Sequence, residues 1–506
     1  MKKIYLSIML LVGLLASCDM DKTPYGSLDE NTAIQGMNDI ARFRNMVYTS
    51  LRGKTAGGWI SYQDIQMDEF HGIISNGNRV GEFSNGQITS SQSDIETMFA
   101  SCYSSIATAN SLIEKTEMLI NSGNFSEEEV AEIKRYQGEA YFLRGFCYFF
   151  LADHFCQPYT AELGKKEHSG MPIVLKYEPS GDVTTYPSRA TLDETYALIE
   201  SDLNKAYTEL KAYETATNAA IEPNAAYLNS YAVSAMQARV ALVKGDYTTA
   251  LAKAKEVINS GKYELADEEE YLNMWSKDES PEVIFRPFMS NTEGLISTGG
   301  AYTASKTFDS ADYIATFETL CLYPEGDIRF DAFFTQWALN VEGSKYGSFV
   351  FLKYPGNESL RVTTENNYVN MAKAFRLSET VLIAAEAAAR TNNLDDANKY
   401  LNAIRAARIY EWEETKYTTA NILSEILLER ECELLGEGFR MSDLRRLNQG
   451  FQRYGSHEEN PQLDNIIVAT GRELKYEKGD YRFTWPIPKT EMDANPNLAG
   501  QQNPGY

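Results

Sequence analysis

The sequence predicts a mainly α-helical protein, a scaffold of tetratricopeptide-like helix pairs carrying a loop-rich, irregular ligand-binding region. Three observations carry this prediction. Residues 231–258 and 377–405 repeat one spacing of small and apolar residues. In 126–156, Ile133, Tyr136, Ala140, Leu143, Cys147 and Phe150 step by three and four, the stripe of a helix with one buried face. Residues 53–93 and 284–370 show little helical period, are long for plain connections, and carry too many aromatic residues for disorder.

In chain order, residues 1–17 read as a signal peptide. Lys2 and Lys3 precede a short apolar run, 4–15, too short to span a bilayer comfortably. It ends in Leu15-Ala16-Ser17-Cys18, which resembles the bacterial lipobox, so Cys18 is expected to be the lipidated first residue of a mature chain 18–506. Helices are expected over 34–52 and 94–121, the latter capped at Ser93-Asp94. Ser126 opens SEEE, a capping signature with acidic residues in the first turn, and Gln157-Pro158 closes that helix. Thr191 caps a helix over 191–214, with Glu194 three residues on. In 231–258, Ala238, Ala241, Tyr247, Ala250, Ala254 and Val257 share offsets with Ala385, Ala388, Leu394, Ala397, Leu401 and Ile404 in 377–405. Small residues let the two helices of each pair approach closely, and Gly245-Asp246 or Asn392-Asn393 reverses the chain. Such pairs bury their faces only by stacking, here near 126–214, 231–258, 377–405 and 419–448.

With 47 Lys and Arg against 71 Asp and Glu, the net charge of −24 excludes general nucleic-acid binding, which needs a basic face. It also disfavours strongly anionic ligands, although a local basic pocket survives such an average. Beyond Cys18, the five scattered cysteines Cys102, Cys147, Cys156, Cys321 and Cys432 make a poor disulfide framework and read as buried free thiols, with one bridge left open. No Cys or His spacing marks a metal site, and no cofactor fingerprint, phosphate loop or nucleophile elbow is present. The protein therefore reads as a non-enzyme without cofactor or metal.

Two C-terminal strings, LLERECELLGEGFRMSDLRRLN at 427–448 and WPIPKTEMDANPNLAGQQNPGY at 485–506, are more specific. With the lipobox and the repeat at 377–405, they resemble the SusD/RagB family of Bacteroidota outer-membrane lipoproteins along nearly the whole mature chain. Asp327-Ile328-Arg329 and Leu352-Lys353-Tyr354 match weaker family features. The resemblance implies a surface-exposed, lipid-anchored nutrient-binding protein of the outer membrane. It would capture an oligosaccharide or polysaccharide and deliver it to a SusC-like TonB-dependent transporter, without catalysis. It also implies four helix pairs facing that transporter and a ligand site on the irregular part. A peptide-binding member of the same family and a tetratricopeptide protein–protein adaptor are the alternatives.

Sugar recognition uses flat aromatic faces against ring C–H groups and planar amides, carboxylates or guanidinium groups against hydroxyls. Candidates of those types are Trp59, Tyr62, Asp68, Asn76, Asn78, Arg79 and Phe83 in the first loop region. Later candidates are Trp275, Phe288, Tyr302, Trp337 and Tyr354. Trp59, Tyr62 and Arg79 rank first because their neighbours are polar and Gly-rich. Glu429, Arg430, Arg440 and Asp443 read as a salt-bridge network fixing two helices, and Trp485-Pro486-Ile487-Pro488 as a packing motif.

Overall fold

The long helices of the chain lie side by side around one spine. The computed structural model describes residues 34, 36–77, 79–302, 309–455 and 461–506, so Asn78, Cys18 and the expected signal segment lie outside the described residues. The helices used below are α1 (Met37–Lys54), α2 (Gly58–Gln66), α3 (Ser93–Asn121), α4 (Glu127–Phe155), α5 (Leu192–Thr217), α6 (Ser230–Lys244), α7 (Tyr247–Ile258), α8 (Glu268–Ser276), α9 (Leu377–Arg390), α10 (Leu394–Arg408), α11 (Ile422–Leu434) and α12 (Arg440–Arg446).

The spine is α4. A capping box starts it: Ser126 Oγ accepts from the Glu129 amide at 3.2 Å, and Glu129 Oε2 accepts from the Ser126 amide at 2.9 Å. From Tyr136 to Phe155 every residue is buried, because α1, α3 and α5 each cover a different face. Two glycines set the closest of these packings. A Cβ on Gly138 would meet the Ala206 carbonyl oxygen at 3.3 Å, and one on Gly145 would meet Leu203 at 3.4 Å, so α5 lies close enough that a methyl group would be a tight fit. Arg144 crosses the same seam to Asp202 through two bonds of 2.7 and 2.8 Å. At the start of α3 the structure differs from the sequence reading. The N-cap is Gln92 with no side-chain cap bond, and Asp94 lies inside the first turn, facing the partial positive charge of the helix end.

The two repeated segments fold as α6–α7 and α9–α10. In each, a residue with positive φ ends the first helix and the next residue caps the second. Gly245 takes φ 85° and Asp246 accepts from the Thr249 amide; Asn392 takes φ 61° and Asn393 accepts from the Asp396 amide. The small residues at the shared offsets are buried, and α9 packs on both α7 and α11, which stacks the pairs.

Two other regions depart from a plain loop reading. Residues 53–93 contain α2, started by Gly57 at φ 63°; Gly58 is needed because a Cβ there would lie 2.7 Å from the Tyr62 ring. Residues 284–370 contain a hairpin of two eight-residue strands. β4 (Phe334–Val341) pairs with β5 (Ser344–Phe351) around Glu342-Gly343, both at positive φ, the turn whose twist matches paired strands. The remaining ladders among the described residues are two or three residues long. They join β1 (Phe70–Gly72) to β3 (Tyr313–Ala315), β2 (Val283–Phe285) to β6 (Phe375–Arg376), and β7 (Phe451–Gln452) to β8 (Lys475–Tyr476). With so little regular backbone, this half is held by an aromatic core of Phe70, Tyr271, Trp275, Tyr302, Phe333, Phe351 and Tyr354.

A buried ionic network joins the helical half to the irregular half. Glu433 accepts from Arg329 at 3.1 Å, Arg376 at 2.5 Å and Arg408 at 3.1 Å. Glu282 accepts from Arg376 at 2.9 Å and Arg408 at 2.6 Å, and Glu429 accepts from Arg329 and Arg405, each at 2.7 Å. Burial alone would raise the Glu433 carboxyl, but Arg408, Arg376 and Arg329 together hold it well below its usual range. Trp485 closes the helical core. Its indole N–H donates to Gln66 Oε1 at 2.8 Å, and the rings of Phe83, His154 and Phe155 surround it.

Candidate functional site

One cleft collects three of the sequence candidates. Trp59 of α2, Trp275 of α8 and Tyr354 line it, together with Phe146, Phe149 and Phe150 of α4 and Phe439 ahead of α12. Its open volume is about 120 Å³, the space of about four water molecules at liquid density. The Trp59 ring is half-buried, 4.6 Å from Phe150, and Lys54 Nζ lies 5.2 Å from its centroid. Trp275 meets Tyr354 edge-on at 5.7 Å, and the Tyr354 hydroxyl donates to the Gly436 carbonyl at 2.9 Å.

Polar groups stand between the rings. Gln63 donates to the Trp59 carbonyl at 2.7 Å, which fixes its amide beside the ring. The His154 ring nitrogens lie 2.9 Å from the Phe150 carbonyl oxygen and 2.7 Å from Gln63 Oε1. Burial pushes the His154 pKa down to about 4, so the ring is neutral near pH 7. Arg239 donates twice to Glu379, at 2.6 Å each, and Lys373 donates to Asp278 at 2.5 Å. Asp153 faces Arg445 at 3.4 Å. Burial would raise Glu437, but Arg376 and Lys353 keep its carboxyl below the usual range.

Asp64, one residue beyond Gln63 on α2, holds the cleft's far wall by accepting from the Gly438 amide at 2.8 Å. Burial pushes its carboxyl up to about 8. An unfolded carboxyl ionises near 3.8 while the folded one resists until about 8, so this group's stabilisation is complete below 3.8 and is lost progressively up to 8. Asp64→Asn stays neutral and still accepts from Gly438. Its melting temperature relative to the parent is expected to rise as pH increases across that window and to level off above it. A difference flat in pH would contradict the assignment.

The other candidates divide as follows. Tyr62 is half-buried against Phe83 at 4.9 Å; burial and Asp94 push its hydroxyl up to about 12. Arg79 is exposed and bonds Asp312 and the Gly300 carbonyl. Phe288 is an exposed ring whose carbonyl accepts from Arg52. Asn76 ends a one-turn helix, Ile74–Asn76. Tyr62, Arg79 and Phe288 do not line the cleft. Phe83 and Tyr302 are fully buried, and Trp337 is 6% exposed in the small core under the β4–β5 hairpin, so none offers a free ring face. Asp68 is half-buried and structural, accepting twice from Arg440 at 2.8 and 2.7 Å. Arg430 bonds Asp443 at 2.8 Å. The 427–448 motif is thus ionic and structural: Arg430–Asp443 and Arg440–Glu431 tie α11 to α12, while Glu429 and Arg440 also reach other elements. The sequence reading missed Phe146, Phe149, Phe150, Phe439, Lys54 and Arg239. The run YFLRGFCYFF on α4 carried a signal, since a helix aromatic on all sides must have more than one neighbour.

Among the described residues no three His, Cys, Asp or Glu side chains converge as a metal site, and no helix is long and apolar enough to cross a membrane. Cys102, Cys147, Cys156 and Cys432 are buried thiols, whereas Cys321, expected to be buried, is exposed.

A helical scaffold with an aromatic cleft at its junction with an irregular half defines a class of binding protein, and comparison with known proteins gives that class a family. A family model described as the SusD family matches residues 337–506. A second, described as starch-binding proteins associating with the outer membrane, matches residues 20–242. Both parts of the chain are thus similar to SusD-type proteins, 337–506 to the one model and 20–242 to the other. The chain is 23% identical to SusD-like protein P2 of Formosa agariphila over the whole of both chains. A SusD superfamily structure from Bacteroides thetaiotaomicron has 27% identity and a TM-score of 0.77, over 92% of this chain and 99% of that one. A structure from Bacteroides vulgatus with a provisional sugar-binding name has 28% identity and a TM-score of 0.76, over 94% and 100%.

Proposed function

We propose that this protein is a glycan-binding lipoprotein of the outer-membrane surface that captures oligosaccharides and passes them to a SusC-like TonB-dependent transporter. The observation that carries the reading is the cleft, where the rings of Trp59 and Phe439 stand beside the planar groups of Gln63 and Arg239. Apolar sugar faces stack on rings, and ring hydroxyls pair with fixed amide and guanidinium edges. The match to a family described as starch-binding and outer-membrane-associated supports it. In the cleft, Asp153 faces Arg445 and Glu437 pairs with Arg376 and Lys353, so both carboxylates are engaged by cations of the protein itself.

Cys18 is the anchor in this reading, and the stacked helix pairs are the surface offered to the transporter. The test is fractionation and affinity capture from cells. Full-length tagged protein is expected in the outer membrane, accessible to protease on intact cells, and to bring a TonB-dependent barrel with it. Cys18→Ala is expected to move it to the soluble fraction. Membrane retention of Cys18→Ala, or capture of the protein with no barrel, would contradict the corresponding half of the proposal.

A further inference from the structure

The cations lining the cleft are not equivalent. Arg239, Lys373 and Arg430 each have a carboxylate, from Glu379, Asp278 and Asp443. Lys54 has none among the described residues. It is 6% exposed, and Nζ donates only to hydroxyls, to Ser105 Oγ at 2.7 Å and Ser101 Oγ at 2.9 Å, under the Trp59 ring. A buried ammonium without a counter-charge is costly, and more notable where acids outnumber bases as they do here. A second, independent observation falls in the same cleft. Arg430 is 3% exposed and its Nη1 has no hydrogen-bond partner, since Asp443 takes only Nε. Both residues line the aromatic cleft, and each also borders a second groove: Lys54 one along α3 that Ser101 and Ser105 share, Arg430 one between α11 and α12.

We propose that the cleft selects an acidic saccharide, a sugar bearing a carboxylate or sulfate ester, whose charge is met by Lys54 and Arg430 while its ring stacks on Trp59. This rests on the cleft being the saccharide site and narrows the ligand class. It also reverses, locally, what net charge suggests, because screening and averaging act on exposed charges and little on buried ones. Guanidinium and ammonium groups bind both anions through charge-assisted bonds, so the geometry names the shared chemistry.

The test is calorimetry on residues 19–506 with matched pairs of probes: uronic-acid oligosaccharides against the same chains with carboxyls reduced to alcohols, and sulfated oligosaccharides against their desulfated forms. The expected result is at least a tenfold preference for one charged member, abolished by Lys54→Gln and kept by Lys54→Arg, with both variants folded by circular dichroism. The paired probes need only the parent protein, so a variant that fails to fold leaves the comparison intact. Equal binding of charged and neutral members, or a preference that survives Lys54→Gln, would overturn this inference while leaving the saccharide site standing. Binding of a peptide pool with no saccharide bound would overturn both.

Discussion

Replacing Glu433 by alanine is expected to cost about 3–5 kcal/mol and to leave little of the folded state. The carboxylate answers Arg329, Arg376 and Arg408, each about 1% exposed or less, and they reach it from the irregular half, from the short strand ahead of α9 and from α10. Truncating it leaves three guanidinium groups crowded in a dry interior with one charge removed. The penalty is that uncompensated charge rather than the net worth of the pairs. Urea unfolding followed by circular dichroism measures it. The control is Glu293→Ala, whose partner Arg52 meets a carboxylate 61% exposed; it is expected to change stability by less than about 1 kcal/mol. Similar midpoints for the two variants would show that the network does not join the halves.

Trp59→Ala is expected to weaken glycan binding at least tenfold with the fold retained. Trp59 is the half-buried tryptophan of the cleft, whereas Trp275 is 2% exposed and belongs to the aromatic core. Removing the Trp59 ring deletes the stacking platform and uncovers Lys54, a loss of about 1.4 kcal/mol or more for each tenfold. Trp59→Phe keeps a smaller ring and is expected to fall between parent and alanine. Thermal melts separate this from unfolding, because the Phe150 contact is a single ring pair at the edge of the helical core.

What the sequence disclosed follows the range of the interactions. The helix pairs are legible because their cause is local: the Gly245-Asp246 and Asn392-Asn393 turns and the alanines at shared offsets lie within one segment. The cleft is legible only in part. Polar, Gly-rich neighbours mark Trp59, yet the same signal marks Tyr62 and Arg79, which lie outside the cleft, and Phe83, a candidate by residue type, is enclosed by Tyr62 and Trp485. Asp68 looked free because Arg440, its partner, lies 372 residues away. Tyr302 and Trp337 looked like recognition residues because aromatics in irregular chain read as exposed. Here they are the core that irregular chain requires, since side chains replace a regular backbone as what holds it. The β4–β5 hairpin did leave a trace, an Asn340-Val341-Glu342-Gly343 stretch between apolar runs, but a search for helical period passes over alternation by two.

The most direct test of the central claim is a calorimetric screen of residues 19–506, parent beside Trp59→Ala, against plant, host-mucin and microbial polysaccharides, with a peptide pool alongside. The parent is expected to give heat of binding with one class of glycan, and Trp59→Ala to lose it. Undiminished glycan binding by Trp59→Ala would place the ligand elsewhere on the protein, and binding of peptides alone would contradict the glycan reading itself.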